Sequence, residues 1–326
     1  MSMLLKGIAQ NNFIIVGRAG IDFFTAAGVR VEDAAQMTVD LGGSSANIGA
    51  GICKLGGRAA LVTRVSDDSI GSYCTHRLRY YGVDTQYVTP VGGEFRNSLA
   101  VYESVVEHHR NVIYRNGAAD FEMTETDVNA VDFSAYGALI TAGTVFAAEP
   151  SRSATFKAFE RAKDAGLPIV FDIDYRPYSW PTADVASDVL SRAAAECDMI
   201  VGNDEEFGFM AGRYEDGLKK ARELAETKAE IVVYKMGSEG AITFTQGKEI
   251  RTGIYPVDAL KPVGAGDSFM AGLVTSLADA HPLKAALLRG SACASITVSR
   301  PGCAPALPDT ETLETFLADH PGPTSP

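Results

Sequence analysis

The 326-residue sequence predicts an α/β fold in which a mostly parallel sheet is covered by helices on both faces. Short apolar runs typical of buried strands alternate with longer stretches of helical periodicity, and this alternation is the pattern of a parallel sheet. Strands are expected at 13–16, 60–65, 138–141, 168–172, 199–202 and 231–235. Helices are expected at 46–55, 69–81, 152–165, 184–196 and 216–227.

Two regions carry strand-like residues without a helical pattern, at 23–41 and 96–115. We interpret them as a small β-sheet lid built from segments at about 18–41 and 94–119. Ligands of open α/β sheets bind at the carboxyl ends of the strands, so a lid there would cover a site. The alternative is a pair of surface excursions without a role. A β-hairpin is expected over 231–247.

The length permits two domains or one large α/β domain, and we expect a single domain over residues 1–320, followed by a flexible tail at 321–326. The sequence is 46% hydrophobic and 21% charged and shows neither a repeat nor a low-complexity linker. A net charge of −12 disfavours nucleic acid and anionic membranes as partners. The N-terminus lacks the apolar core of a signal peptide, and the five cysteines form no CxxC pair. A cytoplasmic protein with reduced thiols is therefore expected.

The most informative segment is Gly264-Ala265-Gly266-Asp267, which precedes an amphipathic run. Free N–H groups at a helix N-terminus bind anions, and glycine lets a phosphate approach the backbone closely. A carboxylate beside an anion site opposes binding, unless it takes the proton from a hydroxyl that attacks the phosphate. The segment therefore predicts a phosphotransferase that acts on an alcohol.

A glycine pair, Gly42 and Gly43, precedes another predicted helix that contains Asn47. The glycines could let the backbone meet a ligand, with Asn47 offering both a donor and an acceptor. Tight packing of the helix on a strand would use the same glycines, and the residues alone leave both interpretations open.

Polar residues also follow two of the predicted strands. Asp172 and Asp174 leave one strand end with Arg176 close behind, which fits either a ligand site or a structural ion pair. Asn203 and Glu206 follow the next strand, where oxygen ligands suit Mg²⁺, but the residue types alone favour an acidic helix N-terminus. The GxxxxGK[ST] phosphate loop is absent from the sequence, and residues 17–20 lack the GxGxxG spacing of a dinucleotide site.

Taken in order, these segments resemble the ribokinase-like, or PfkB, family of sugar kinases over about residues 14–308. The resemblance implies a three-layer αβα sandwich with a β-sheet lid, and phosphorylation of a sugar hydroxyl with ATP and Mg²⁺. Segments 114–120, 171–180 and 234–237 resemble members that phosphorylate the 6-hydroxyl of a sugar acid in inositol breakdown. The alternatives are a kinase for 2-keto-3-deoxygluconate, fructose or ribose, or a silent sugar-binding regulator on the same fold.

The resemblance also implies roles for individual residues. Asp267 would be the base, and the N–H groups of Gly264, Ala265 and Gly266 would form the anion hole. The sugar acid would be held by Asp22, Gly42, Gly43 and Asn47. To this set we add Asp172 and Asp174, and on grounds of charge we assign the substrate carboxylate to Arg96, Arg115 or Arg176. The nucleotide would contact Asn203, Lys235, Gly237, Gly240, Ala294 and Ser295. Mg²⁺ would be organised by Asn203 and Glu206.

One departure from the family concerns the residues before the glycine turn. Many members have an aspartate and threonines there, linked to a potassium site, whereas this sequence has Lys261, Pro262 and Val263. A lysine would repel a monovalent cation at short range, so we expect activity without potassium. If the lid strands expose one apolar face, the lid of a second copy could bury it, and we expect a homodimer on that basis.

Overall fold

The structure is a computed structural model that describes residues 1–104, 110–320 and 322–324. Its strands are β1 (Asn12–Val16), β2 (Gly20–Phe24), β3 (Thr38–Gly42), β4 (Arg58–Ser66), β5 (Val88–Val91), β6 (Leu99–Tyr102), β7 (Asn111–Tyr114), β8 (Ala138–Ala142), β9 (Ile169–Asp172), β10 (Met199–Asn203), β11 (Ile231–Lys235), β12 (Ala241–Thr245) and β13 (Lys248–Thr252). Its helices are α1 (Met3–Ile8), α2 (Ser44–Lys54), α3 (Ser69–Tyr80), α4 (Glu125–Asn129), α5 (Ser151–Asp164), α6 (Ala183–Ala194), α7 (Asp204–Ala211), α8 (Gly217–Thr227), α9 (Ala265–Ala278), α10 (Leu283–Val298) and α11 (Thr310–Asp319).

The large sheet has nine strands in the order β13-β12-β11-β10-β9-β8-β1-β4-β5. The strands from β11 to β5 run parallel to their neighbours, whereas β12 and β13 are antiparallel and form the edge beyond β11. The expected hairpin is β11 and β12. The carboxyl ends of β8, β9, β10 and β11 therefore meet along one edge, which is where the polar residues of the sequence were expected to converge.

Two hydrophobic cores lie on opposite faces of this sheet. Because successive residues of a strand point to opposite sides, Phe13 and Ile15 of β1 enter one core while Ile14 and Val16 enter the other. The first core contains side chains of α2, α3, α9, α10 and α11, and the second contains those of α4 to α8. This three-layer arrangement confirms the predicted fold class.

A second sheet of four strands, in the order β3-β2-β6-β7, is built from the two segments in which the sequence predicted a lid, and it is called the lid below. Strand β2 pairs antiparallel with β3 and parallel with β6, and β6 pairs antiparallel with β7. Residues 105–109 of the predicted lid segment lie outside the described residues. One face of this small sheet carries Tyr102, Asn111 and Ile113, which line the cavity described below.

The five cysteines are free, and all except Cys53 are buried.

In the predicted tail, residues 321, 325 and 326 lie outside the described residues. Thr324 donates its backbone N–H to the carbonyl oxygen of Ile254 at 2.7 Å. Within the described ranges, no helix combines the length and apolar character needed to cross a bilayer.

Candidate active site

A cavity of about 720 Å³ opens between the carboxyl edge of the large sheet, the lid and the start of α9. Residues from the ends of β1, β8, β9, β10 and β11 lie in its wall. Thirteen of the predicted site residues other than the glycine turn line it: Ala294 together with Asp22, Gly43, Asn47, Arg115, Asp172, Asp174, Arg176, Asn203, Glu206, Lys235, Gly237 and Gly240. The whole turn from Gly264 to Asp267 lines it as well.

The turn before α9 has the geometry of an anion site. Gly264 lies at the N-cap position with φ 86°, a left-handed conformation that glycine adopts without steric cost. Among the residues the structure describes, no side chain caps this helix, and the residues of its first turn line the cavity. The carboxylate of Asp267 lies in the same first turn. The turn can therefore offer N–H donors and a carboxylate to one ligand.

Asp267 is held by a hydrogen bond that its sequence neighbours do not supply. The Nδ2 of Asn47, in the first turn of α2, donates to Oδ2 of Asp267 at 2.9 Å. Enclosure by protein raises the pKa of Asp267 to about 6, and the nearby charge of Asp174 adds to the rise. Asn47, Arg176 and Lys235 oppose that rise because they favour the charged carboxylate.

Two side-chain oxygen atoms near the carboxylate of Asp267 are buried without a hydrogen-bond partner in the described structure. They are Oδ1 of Asn47 and Oδ1 of Asp22, and both residues line the cavity. Burial raises the pKa of Asp22 to about 7, although Arg18 opposes the rise. Buried polar atoms are normally paired, so these two acceptors fit a ligand that brings hydroxyl groups.

The two glycines of the pair leave no room for a side chain, and one of them also lines the cavity. A Cβ on Gly42 would lie 2.0 Å from Oδ1 of Asp22, and Gly42 is not part of the cavity wall. Gly43 has φ 99°, lines the cavity, and would place a Cβ 2.5 Å from the carbonyl oxygen of Arg18. The packing interpretation therefore fits both glycines, and Gly43 also lies where a ligand could meet the backbone.

The carboxylates after β9 belong to a network of buried charges. Nη2 of Arg176 pairs with Oδ1 of Asp174 at 2.7 Å. Burial raises the pKa of Asp174, but Arg176 together with hydrogen bonds outweighs burial and leaves the pKa lowered. Burial raises the pKa of Asp172 to about 8, against the charge of Lys235. Asp174 and Arg176 thus form the structural ion pair that one interpretation predicted. Both residues also line the cavity, which is compatible with the interpretation as a ligand site.

The Asn203–Glu206 segment begins α7 with reciprocal hydrogen bonds. Oδ1 of Asn203 accepts from the N–H of Glu206 at 2.8 Å, and Oε2 of Glu206 accepts from the N–H of Asn203 at 2.8 Å. Oε1 of Glu206 accepts from the N–H of Tyr175. Within the described ranges, no cluster of three or more metal-ligating side chains occurs. The segment is thus a helix cap whose residues also face the cavity.

Three predicted site residues lie apart from the cavity: Gly42, Arg96 and Ser295. The guanidinium of Arg96 donates to the carbonyl oxygens of Gly93 and Phe95, and its side chain is 64% exposed. The hydroxyl of Ser295 donates to the carbonyl oxygen of Tyr255 at 2.7 Å.

Sequence reasoning missed Arg18, which is buried in the cavity wall directly after β1. Its Nη1 donates to Oγ of Ser98 at 2.8 Å, and its Nε has no partner in the described structure. Its position after the first strand was the available signal, because residues at that place reach the ligand edge of the sheet.

Comparison with known proteins agrees with this geometry, which is that of a phosphotransferase acting on an alcohol. The sequence model for pfkB family carbohydrate kinases matches residues 10–310. The chain belongs to this family of carbohydrate kinases. The family resemblance, the fold and the enzyme class predicted from the sequence are thereby confirmed, and a silent regulator is not favoured.

Relatives match almost the whole chain. The 5-dehydro-2-deoxygluconokinase of Geobacillus kaustophilus is 34% identical over 315 residues, which cover 95% of this chain and 94% of that protein. The 5-dehydro-2-deoxygluconokinase of Photobacterium profundum is 33% identical over 311 residues, which cover 93% of this chain and 94% of that protein. The fructokinase of Xylella fastidiosa with bound ATP has the same fold, with a TM-score of 0.84 at 19% identity over 95% of this chain and 98% of that one.

Proposed function

We propose that this kinase transfers the terminal phosphoryl group of ATP to the 6-hydroxyl of 5-dehydro-2-deoxy-D-gluconate, a step of myo-inositol breakdown. The observation that carries the chemistry is the contact of Asn47 with Asp267 at the uncapped start of α9. The observation that supports this acceptor is the name shared by relatives that match over 90% of the chain.

Three arginines support an acidic acceptor. Arg18, Arg115 and Arg176 line the cavity, and each is already held in place by a protein partner. Arg115, for example, donates to Oδ2 of Asp120 at 2.5 Å and to the carbonyl oxygen of Thr144 at 2.8 Å. Guanidinium groups fixed in this way are prepared to bind a carboxylate without losing side-chain entropy. We assign the substrate carboxylate to this set, in which Arg18 takes the place first given to Arg96.

In the proposed reaction, the acceptor hydroxyl gives its proton to a carboxylate oxygen of Asp267. The new bond joins O6 to the terminal phosphorus, the bond from that phosphorus to the bridging oxygen breaks, and ADP leaves with the electron pair. The N–H groups of Gly264, Ala265 and Gly266 would receive the charge on the transferring group, where fixed donors act without reorganisation. Asp267 then releases its proton to solvent.

Charge in the cavity supports a requirement for Mg²⁺. Six carboxyl groups line the wall against four cationic side chains, which opposes a triphosphate unless a cation accompanies it. Mg²⁺ commonly keeps several waters and binds through phosphates rather than in a cage of protein ligands. Asn203 and Glu206 fit that mode, because both residues line the cavity while their side-chain oxygens cap α7. The ion would neutralise charge on the phosphates.

The lid supports two further proposals. Its inner face lines the cavity, so its closure over the sugar would exclude water and limit hydrolysis of ATP.

The outer face of the lid exposes Val39, Val112 and Tyr114, with 38%, 43% and 62% of each residue accessible. We propose that a second copy covers this face in a homodimer, which sedimentation equilibrium would detect and a monomer at micromolar concentration would contradict.

Acceptor selectivity tests the proposed function. Among 5-dehydro-2-deoxygluconate, 2-keto-3-deoxygluconate, fructose and ribose, the first is expected to give the highest kcat/KM in an assay coupled to ADP formation. The analogue with a C1 alcohol in place of the carboxylate should lose about 10- to 150-fold, because a hydrogen bond to a charged group contributes about 1.5–3 kcal/mol. Preference for ribose or fructose would contradict the arginine assignment.

The pH dependence tests the state of Asp267. A general base works as the carboxylate, so kcat/KM should fall as pH decreases through about 6 and should be level above it. Replacement of Asn47 by alanine removes a hydrogen bond that favours the charged form, so the pKa of Asp267 should rise and the fall should begin at higher pH. An unchanged acid limb in Asn47→Ala would argue against Asp267 as the titrating group.

A further inference from the structure

Lys261 is a buried ammonium group beside the glycine turn. The residue is 3% exposed, and its Nζ donates to the carbonyl oxygen of Val263 at 2.8 Å and to that of Thr297 at 3.2 Å. Within the described ranges, no carboxylate oxygen lies within 4.0 Å of this nitrogen. The charge is therefore bound by main-chain carbonyl groups, which is unusual for a buried lysine.

The end of α10 helps to explain how this charge is tolerated. Thr297 lies in the last turn of α10, where carbonyl groups lack partners within the helix and carry the negative end of the helix dipole. The backbone N–H groups of Leu260 and Lys261 both donate to the carbonyl oxygen of Val298. The chain before the glycine turn is thus fastened to the C-terminus of α10, with the ammonium between the two.

The same contacts reach the proposed anion hole. Val263, whose carbonyl oxygen binds the ammonium, directly precedes Gly264. Thr297 donates its hydroxyl to Oγ of Ser268 at 2.8 Å, in the first turn of α9. A Cβ on Gly264 would lie 3.3 Å from the Cγ2 of Thr297. A change in the carbonyl positions around the ammonium would therefore move the turn that presents the N–H groups.

We propose that Lys261 is a positioning residue, a tethered cation that fixes the glycine turn and occupies the place where a free monovalent cation would otherwise be needed. The ammonium binds carbonyl oxygens as a potassium or ammonium ion would, but it cannot dissociate. Burial lowers the pKa of Lys261, and the nearby charges of Asp267, Asp22 and Asp40 oppose that lowering. The inference rests on the proposed role of residues 264–266 as the anion hole.

The test compares Lys261→Met with the parent chain. Methionine keeps most of the side-chain volume and removes the charge, which leaves carbonyl oxygens around a small space. We expect kcat to fall by about tenfold or more, as the loss of a charge-assisted hydrogen bond allows, with the KM for the sugar acid little changed. Potassium or ammonium chloride should restore part of kcat, whereas sodium or tetramethylammonium chloride should not.

Lys54→Met is the matched control. Nζ of Lys54 also donates to two main-chain carbonyl oxygens, those of Pro305 and Leu307, but away from the cavity. This variant should keep its kcat and show no selective response to cations. If both lysine variants respond alike, or if Lys261→Met keeps the parent kcat, the proposal is overturned.

Thermal melting without substrates separates this inference from the proposed function. Potassium or ammonium chloride should raise the Tm of Lys261→Met more than sodium chloride does at equal ionic strength, and the parent chain should show no such difference. That result would support the tethered cation even if the acceptor assignment fails. Should Lys261→Met not fold, the parent chain decides the matter, because a steep potassium activation of its kcat against a sodium control would overturn the proposal.

Discussion

Replacement of Asp267 by asparagine is expected to lower kcat by about 100- to 10,000-fold, the usual effect of losing a general base. The amide keeps the shape of the carboxylate and can still accept the hydrogen bond from Asn47, but it cannot take a proton from the acceptor. The KM for ATP should change little, because the anion hole remains. A coupled ADP-formation assay with saturating sugar acid measures the effect.

Stability provides the control for this variant. The pKa of Asp267 is raised to about 6 from its ordinary value of 3.8, so its ionisation lowers the stability of the folded protein as pH rises from about 3.8 to about 6, and the full penalty is present at pH 8. A neutral amide removes this penalty, and Asp267→Asn should melt at the same temperature as the parent or higher at pH 8. A folded Asp267→Asn variant with near-normal kcat would show that another group accepts the proton.

Replacement of Gly264 by alanine is expected to lower kcat on the order of 100-fold, the usual loss when anion-hole donors are displaced. Gly264 has φ 86°, which disfavours every L side chain, and its Cβ would lie 3.3 Å from Thr297 and 3.4 Å from Sγ of Cys303. Either the turn or the end of α10 must move. The N–H groups that would receive the transferring phosphoryl group move with the turn.

Gly166→Ala is the matched control for backbone strain. Gly166 has φ 72° with open space around its Cβ position, and it lies after α5, away from the cavity. The two alanine variants should lose similar stability, about 1–2 kcal/mol, but only Gly264→Ala should lose kcat. Equal kcat values in the two variants, measured on folded protein, would refute the anion-hole role of the turn.

The strand ends were predictable because the physical signal is local. Short apolar runs that stop at a polar residue gave Asp172, Asn203 and Lys235, which are the last residues of β9, β10 and β11. These strands are neighbours in the sheet, so parallel pairing brings the three side chains to one edge. The order of all nine strands was not readable, since it depends on contacts between distant segments.

The arginines show where local reasoning failed. Arg96 was chosen for its charge in a lid segment, but its guanidinium binds carbonyl groups of its own loop and stays exposed. Arg18 was considered only as part of a dinucleotide motif that was absent, although its place after β1 puts it in the cavity wall. A charged residue is thus assigned more safely from the strand end it follows than from its charge.

The contact between Asn47 and Asp267 could not be read from the sequence at all. The two residues are 220 positions apart, and they meet because α2 and α9 pack side by side in the same core. Each motif alone predicted a helix start with a polar group, and only the packing of the two helices joins them into one site.

A structure of the kinase with 5-dehydro-2-deoxygluconate and a non-hydrolysable ATP analogue tests the central claim most directly. The measurement is the distance from the carboxylate of Asp267 to the acceptor oxygen, in a complex whose terminal phosphate lies at the start of α9. We predict a hydrogen bond of about 2.5–3.0 Å to O6, with that oxygen facing the phosphorus. A sugar acid bound with O6 remote from Asp267, or a terminal phosphate bound away from residues 264–266, would contradict the account.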